Sequence, residues 1–390
     1  MASPLPPPVL SLGLFVAAFS FALTTRTAAL QARLGACGLL VALVWATLTE
    51  VRKLNDNHDL LYVYATTLIV VLFHACDYLV VLRASSREYV VSQGTQPTFL
   101  RQYVLTPVSM LCNWRRIGTQ WQIDKIPPFS PRSPAKTPSR AYLIATRVVC
   151  MGLCWVAIDL CEVSVLQYSE MMTPGVVLAR VDRLTMPELL FRAEFVVRYF
   201  ICAVTGVYMG YAGVTLIGLV LGLNSPQDCP PMFGSLRDAY TVRGYWGDFY
   251  HQGLRRAITG PADAFVDHIL RIRRGTLLSR YLRLTLAFAL SGVIHWGAEV
   301  SSGVAKPDRS QFLFFTSQAF AVMVEDSVQN LYKRSGRPLP ALPEGLVGYA
   351  WVAGWMLCAM PYMGYSGVVY GDPLPSKLKP AIFRFLARLS

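Results

Sequence analysis

Long apolar blocks broken by polar, basic intervals set the pattern of this chain. Val9–Thr25, Leu34–Leu48 and Leu60–Leu82 come first, and at about 1.5 Å per residue each predicts a helix able to cross a bilayer. A fourth predicted span covers Ala141–Val163 and contains Arg147. After a connection around Ser164–Pro187 comes Phe195–Leu223, whose Gly206, Gly210, Gly213, Gly218 and Gly222 suit close helix packing or a bend. It reads as one tilted span, with a broken helix as the alternative. Tyr281–Val300, Phe312–Tyr332 and Leu346–Tyr370 complete a set of about eight.

The polar intervals orient these spans. Arg83–Arg140 carries nine Lys and Arg against Glu88 and Asp124, and residues 224–280 form a second basic stretch. Basic residues near span ends favour the cytoplasmic side. Both intervals fall there in one topology, with the N-terminus outside and Arg26, Arg33, Lys333, Arg334 and Arg337 inside. Arg52, Lys53 and the tail residues Lys377, Lys379, Arg384 and Arg388 do not fit that count. Met1–Pro8 lacks the basic n-region of a cleaved leader, so the first block reads as a retained span. Within the first basic loop, Pro127–Pro138 (PPFSPRSPAKTP) reads as an extended linker. Trp114 and Trp121 suit either a membrane interface or a solvated loop.

Composition agrees with the pattern. Of 390 residues, 54% are hydrophobic and 15% charged, with mean hydropathy +0.40. A soluble domain carries about 25% charged residues, so an ordinary globule is excluded, and so is a disordered chain. The expected fold is all-α, a polytopic membrane bundle forming one domain over residues 1–390. The surplus of 36 Lys+Arg over 23 Asp+Glu lies beside apolar spans, which argues against nucleic acid as its partner. The nine cysteines lack metal-ligand spacing; Cys150, Cys154 and Cys161 recur at helical spacing and read as packing residues. His74 and Asp77 share a helix face, where a packing hydrogen bond is favoured over a two-donor metal site.

Two histidines stand out as candidate chemistry. His295 lies in an apolar span (Leu290–Val300, LSGVIHWGAEV), where an ionisable group is a functional candidate by default. Glu299, one turn on, shares its face and could orient it. The alternative is a histidine that only bonds a neighbouring helix. His251 sits in Tyr245–Gln252 (YWGDFYHQ), as a base or a neutral structural residue. Arg237, Arg243, Arg255 and Arg256 could hold phosphates bidentately or simply mark the cytoplasmic side. Glu325 and Asp326, adjacent within the Phe312–Tyr332 span, are read as knitting helices together, with a partner role for His295 or Arg147 as the alternative. Nucleotide-binding glycine loops, a Gly-x-Ser-x-Gly elbow and His-Glu-x-x-His are absent from the sequence.

Taken in order, PPMFGS at Pro230–Ser235, RDAYTVRGYWGDFYHQGLRR at Arg237–Arg256 and SGVIH at Ser291–His295 resemble the wax-synthase-like branch of the membrane-bound O-acyltransferases. Within it, the chain is most similar to fungal acetyltransferases that decorate terpenoid and meroterpenoid products. Tyr250 stands where that family commonly has Trp, and Asp248 where it is often basic or apolar.

The resemblance implies interfacial helices around a catalytic tunnel, with His295 as the catalytic histidine and His251 as a second polar position. It implies acetyl-CoA as cosubstrate with no tightly bound cofactor, its phosphates near Arg237, Arg243, Arg255 and Arg256 and with Trp246 in the same block. The other partners are the bilayer, in the endoplasmic reticulum, and a lipophilic alcohol. His295 would take the hydroxyl proton during direct attack, with Glu299 or His251 steadying the imidazole or the oxyanion. Two rival readings are a long-chain wax or sterol ester synthase and a transporter using Arg147, His295, Glu325 and Asp326 as a relay.

Overall fold

The computed structural model describes residues 6–24, 30–55, 57–92, 96, 98–133, 136–161, 185–303, 309–336 and 341–370. Among these residues the secondary structure is helical, with no strand. The chain is an all-α polytopic membrane protein. Among the described residues, seven helices are long and apolar enough to cross a membrane. The expected connection up to residue 184, Arg26, part of the Pro-rich linker and the basic tail lie outside the described residues.

Met1–Asp124 with Gly253–Ala319 forms one compact unit, and Lys125–Gln252 with Phe320–Ser390 forms another. The first unit holds α1 (Pro7–Thr24), α2 (Leu30–Leu54) and α3 (His58–Cys76). The short helices α4 (Ser86–Ser92) and α5 (Thr106–Cys112) follow. Asn57 caps α3 by accepting from the Leu60 amide, and a π-turn, Asp77–Val81, continues it. Phe15, Phe19 and Leu23 on α1, with Leu40, Val44 and Leu48 on α2, repeat every four residues. One face of each helix is thus committed to a buried seam. Ser11 and Thr47 hydroxyls meet across it at 2.8 Å. Val9, Leu10, Phe21 and Trp45 stay exposed, as side chains facing acyl chains do.

The second unit holds α6 (Arg140–Cys161) and α7 (Met186–Val220). Thr185 caps α7, with Pro187 in its first turn, where a missing N–H costs nothing. Residues 195–220 of the Phe195–Leu223 block are therefore the C-terminal part of one long unbroken helix, not a broken one, and the chain turns at 221–223. Beyond it, the first unit also contains α8 (Arg255–Ala264) and α9 (Leu277–Ser302).

α10 (Ser310–Arg334) and α11 (Ala341–Tyr370) complete the chain. α10 is helical where the Phe312–Tyr332 span was expected, but it is not among the seven apolar helices. Gln311, Gln318, Glu325, Asp326, Gln329 and Asn330 lower its hydropathy. This separates seven from the expected eight.

Candidate active site

In the second unit the motif residues form a tightly folded loop. Arg147, buried on α6, donates from Nη2 to the Cys229 carbonyl at 2.9 Å and lies 4.7 Å above the Tyr211 ring centroid. Tyr211 donates its hydroxyl to the Pro230 carbonyl. The loop's entry is thus fixed from α6 and α7. Gly234 then passes so close to the Tyr245–Phe249 turn that its amide donates to the Phe249 carbonyl at 2.9 Å. A Cβ at Gly234 would stand 2.0 Å from the Asp248 carbonyl oxygen. The glycine of PPMFGS is therefore a steric requirement.

Aromatic rings fill the turn. Tyr245 and Tyr250 stack at 5.6 Å, and Trp246 stands edge-on to both, at 5.0 Å and 5.2 Å. Burial raises both phenols above their ordinary range, so they stay neutral. His251 packs 4.6 Å from the Tyr250 ring and edge-on to Phe233 at 6.5 Å. Asp248 accepts from Lys125 in a partly exposed ion pair. Gln252 closes the turn, donating to the Gly247 carbonyl at 2.9 Å.

Carboxylates from α10 hold the start of this segment. Glu325 accepts from the Val242 amide at 2.6 Å and from the Arg243 amide at 3.4 Å. These are N-terminal amides of a single helical turn, which carry the positive end of its dipole. Trp351 donates to the same carboxylate at 3.2 Å. Asp326 takes the Arg243 guanidinium in a fork, at 2.6 Å and 3.3 Å. Arg147, Glu325 and Asp326, three members of the relay reading, are thus engaged in positioning backbone and Arg243.

His295 lies in the first unit. α9 starts at the Thr276 cap, which accepts from the Ser279 amide, and ends on Gly303 in the left-handed region. Gly292 lets α10 approach, since a Cβ there would stand 3.0 Å from the Phe312 backbone. One turn further along both helices, Phe315 stacks on the His295 ring at 4.3 Å and 12°. From α3, the Tyr62 hydroxyl lies 2.9 Å from His295 Nδ1 and donates to Gln311 Oε1 at 2.8 Å. Glu299 is fully buried one turn on. Tyr62, Gln311 and Phe315 escaped the sequence reading, which weighed ionisable groups above neutral ones. A phenol inside the third span was the available signal.

The same unit contains a second buried polar group. Asp77 and Arg116 are wholly buried and paired, and Arg256 Nε reaches the same Asp77 oxygen at 3.2 Å. Arg116 also covers the Tyr78 face at 4.2 Å. Gly260 admits α8 to this cluster, because a Cβ there would meet Asp77 Oδ1 at 2.2 Å. His74 donates from Nε2 to the Gly253 carbonyl at 3.2 Å and stacks on Trp114, which gives it the packing hydrogen bond read from the sequence.

Of the five residues read as cofactor contacts, Arg243 and Arg256 are held by aspartates. Arg237 is exposed, and Trp246 and Arg255 are half-buried. His295 and Arg255 belong to the first unit; His251, Arg237, Arg243 and Trp246 belong to the second.

The model of the membrane bound O-acyl transferase family matches residues 229–317, from the Cys229 loop through His295 to Phe315. Over that segment the chain is similar to the membrane-bound O-acyltransferases. The chain is also similar to several acetyltransferases of fungi. It is 27% identical to acetyltransferase pyr8 of Aspergillus fumigatus over 375 residues, covering 90% of this chain and 85% of the relative. It is 26% identical to acetyltransferase TRI7 of Fusarium sporotrichioides over 329 residues, covering 75% and 71%. With acetyltransferase nanB of Aspergillus nanangensis the identity is 36% over 157 residues, 39% of this chain and 37% of the relative. The acyltransferase segment thus contains both the aromatic turn and the helix that carries His295.

Proposed function

We propose that this acyltransferase moves an acetyl group from acetyl-CoA to a hydroxyl of a lipophilic terpenoid or meroterpenoid, in the endoplasmic reticulum membrane. The observation that carries this reading is His295: a histidine on an apolar helix within the family segment, clasped between the Phe315 face and the Tyr62 hydroxyl. The relatives named as acetyltransferases support the acetyl donor.

An alcohol is a poor nucleophile at neutral pH, so a base must take its proton as it attacks. In the proposed step the hydroxyl oxygen bonds to the thioester carbonyl carbon, and the carbon–sulfur bond breaks. His295 takes the hydroxyl proton and passes it to the departing CoA thiolate. Glu299 and His251 are proposed to support the imidazole or the oxyanion. Arg237, Arg243, Trp246, Arg255 and Arg256 are the residues proposed for CoA binding. Arg243 and Arg256, already paired with aspartates, contribute field more than direct contact.

The test uses membranes containing the enzyme, with labelled acetyl-CoA or palmitoyl-CoA and a panel of lipophilic alcohols. Acetyl ester formation is expected. A preference for palmitoyl-CoA would replace this reading with a wax or sterol ester synthase. His295→Ala should lower turnover by about 10²–10⁴-fold while leaving membrane insertion intact. Full activity in that variant would remove His295 as the base.

A further inference from the structure

We propose that Tyr62, anchored by Gln311, is a positioning residue that selects the tautomer of His295, an inference resting on the reading of His295 as the base. A phenol has one proton to give and two lone pairs with which to accept. Tyr62 donates that proton to Gln311 Oε1 at 2.8 Å, and an amide oxygen can only accept. The 2.9 Å contact between Tyr62 and His295 Nδ1 must then run the other way, with Nδ1–H donating to the phenol oxygen. A neutral imidazole carries one N–H, so the lone pair is on Nε2. In the other tautomer, the Nδ1 lone pair would face the lone pairs of the phenol oxygen.

The surrounding packing keeps this polarity. Phe315 stacks on the imidazole at 4.3 Å and resists a ring flip. Gln311 is 3% exposed, in the first turn of α10, and the approach of Phe312 to Gly292 sets that turn against α9. When Nε2 takes a proton, Nδ1–H becomes a charge-assisted donor and its bond to Tyr62 strengthens. The relay therefore favours the state formed as the alcohol attacks more than the resting state, the condition for an effect on turnover. A carboxylate in this place would add a charge at membrane depth; a phenol backed by an amide orients the ring without one.

Three variants and one spectroscopic signature test the proposal. Tyr62→Phe removes the acceptor while keeping the ring. It should lower kcat about tenfold to hundredfold with KM for acetyl-CoA unchanged. Gln311→Met leaves the phenol proton without its acceptor, frees it to turn toward Nδ1 and should give a loss of similar size. Gln311→Glu keeps an acceptor and should retain most of the activity. Independently of any substrate, ¹⁵N-histidine solid-state NMR of the reconstituted enzyme should show His295, identified by its loss in His295→Ala, protonated at Nδ1. Tyr62→Phe should shift it toward the Nε2-protonated form. Wild-type kcat in Tyr62→Phe, or an Nε2-protonated His295 in the wild type, would overturn the proposal. If His295→Ala is inactive while Tyr62→Phe is normal, the base reading stands and the tautomer proposal alone falls; an active His295→Ala removes both.

Discussion

Asp77 and Asp326 each grip an arginine of the segment that carries the acyltransferase motifs, yet their surroundings differ sharply. Asp77 is fully buried with Arg116, and Arg256 joins them from a side chain that is 25% exposed. Asp326 is 13% exposed and its partner Arg243 39%. Beside it, Glu325 is occupied with backbone amides and an indole. The first region clasps α8 to the end of α3 through charges withdrawn from solvent. The second fixes the start of the motif turn through amide donors, with the ion pair at its rim. The difference decides what a deletion exposes. Removing Asp77 leaves a guanidinium buried without a counter-charge, whereas removing Asp326 leaves Arg243 able to reach solvent.

The largest effect should follow from Asp77→Ala. Breaking a buried pair from one side costs about 3–5 kcal/mol, so thermal unfolding in detergent should move down strongly, with little folded enzyme recovered. Asp77→Ala combined with Arg116→Met should regain most of that loss, because the stranded charge is gone. If the single variant melts like wild type, Asp77 is no clasp. If the double variant is as poor as the single, the cost lies in packing and not in charge.

Glu325→Ala should rank next. It strands the Val242 and Arg243 amides and the Trp351 N–H, a loss of about 1–3 kcal/mol. Asp326→Ala, at the solvent rim, should cost about 1 kcal/mol or less. Parallel melts of the two variants measure the contrast within the second region. A larger drop for Asp326→Ala would reverse the roles assigned to these neighbours.

These pairs also show how far the sequence could be read. Span positions followed from apolar blocks, because a helix in lipid must be apolar over its length. α10 exceeded that logic: Gln311, Gln318, Glu325 and Asp326 find partners in the protein, so it is helical without being apolar enough to count as a span. The knitting role of Glu325 and Asp326 was legible, since two adjacent carboxylates beside spans require partners. The partners were not. The aspartates that hold Arg243 and Arg256 were not legible, because a sequence shows charge but not its counter-charge, and Arg256 is 179 positions from Asp77. His295 was legible as an isolated imidazole in an apolar run. Tyr62 and Gln311 were not, because an uncharged donor and acceptor look like ordinary span residues until α3, α9 and α10 are placed together.

Asp267 supplies the smallest test, and it isolates burial as the variable. Like Asp77 it faces two arginines, Arg274 and Arg283, but it lies at the surface. Hydrogen bonds from Arg274 and then Arg283 hold its carboxyl well below the ordinary carboxylate range. The unfolded chain therefore binds this proton first as pH falls. The stabilisation is fully present above the unfolded carboxylate value, about 3.9, and is lost as pH falls through the lower folded value. Asp267→Asn should thus melt slightly below wild type at pH 7, and the gap should narrow once the pH drops under 4. A gap that stays constant from pH 7 to pH 3 would show that the arginines do not stabilise the ionised form. A gap at pH 7 as large as that of Asp77→Ala would show that two arginines alone, without burial, set the strength of the clasp.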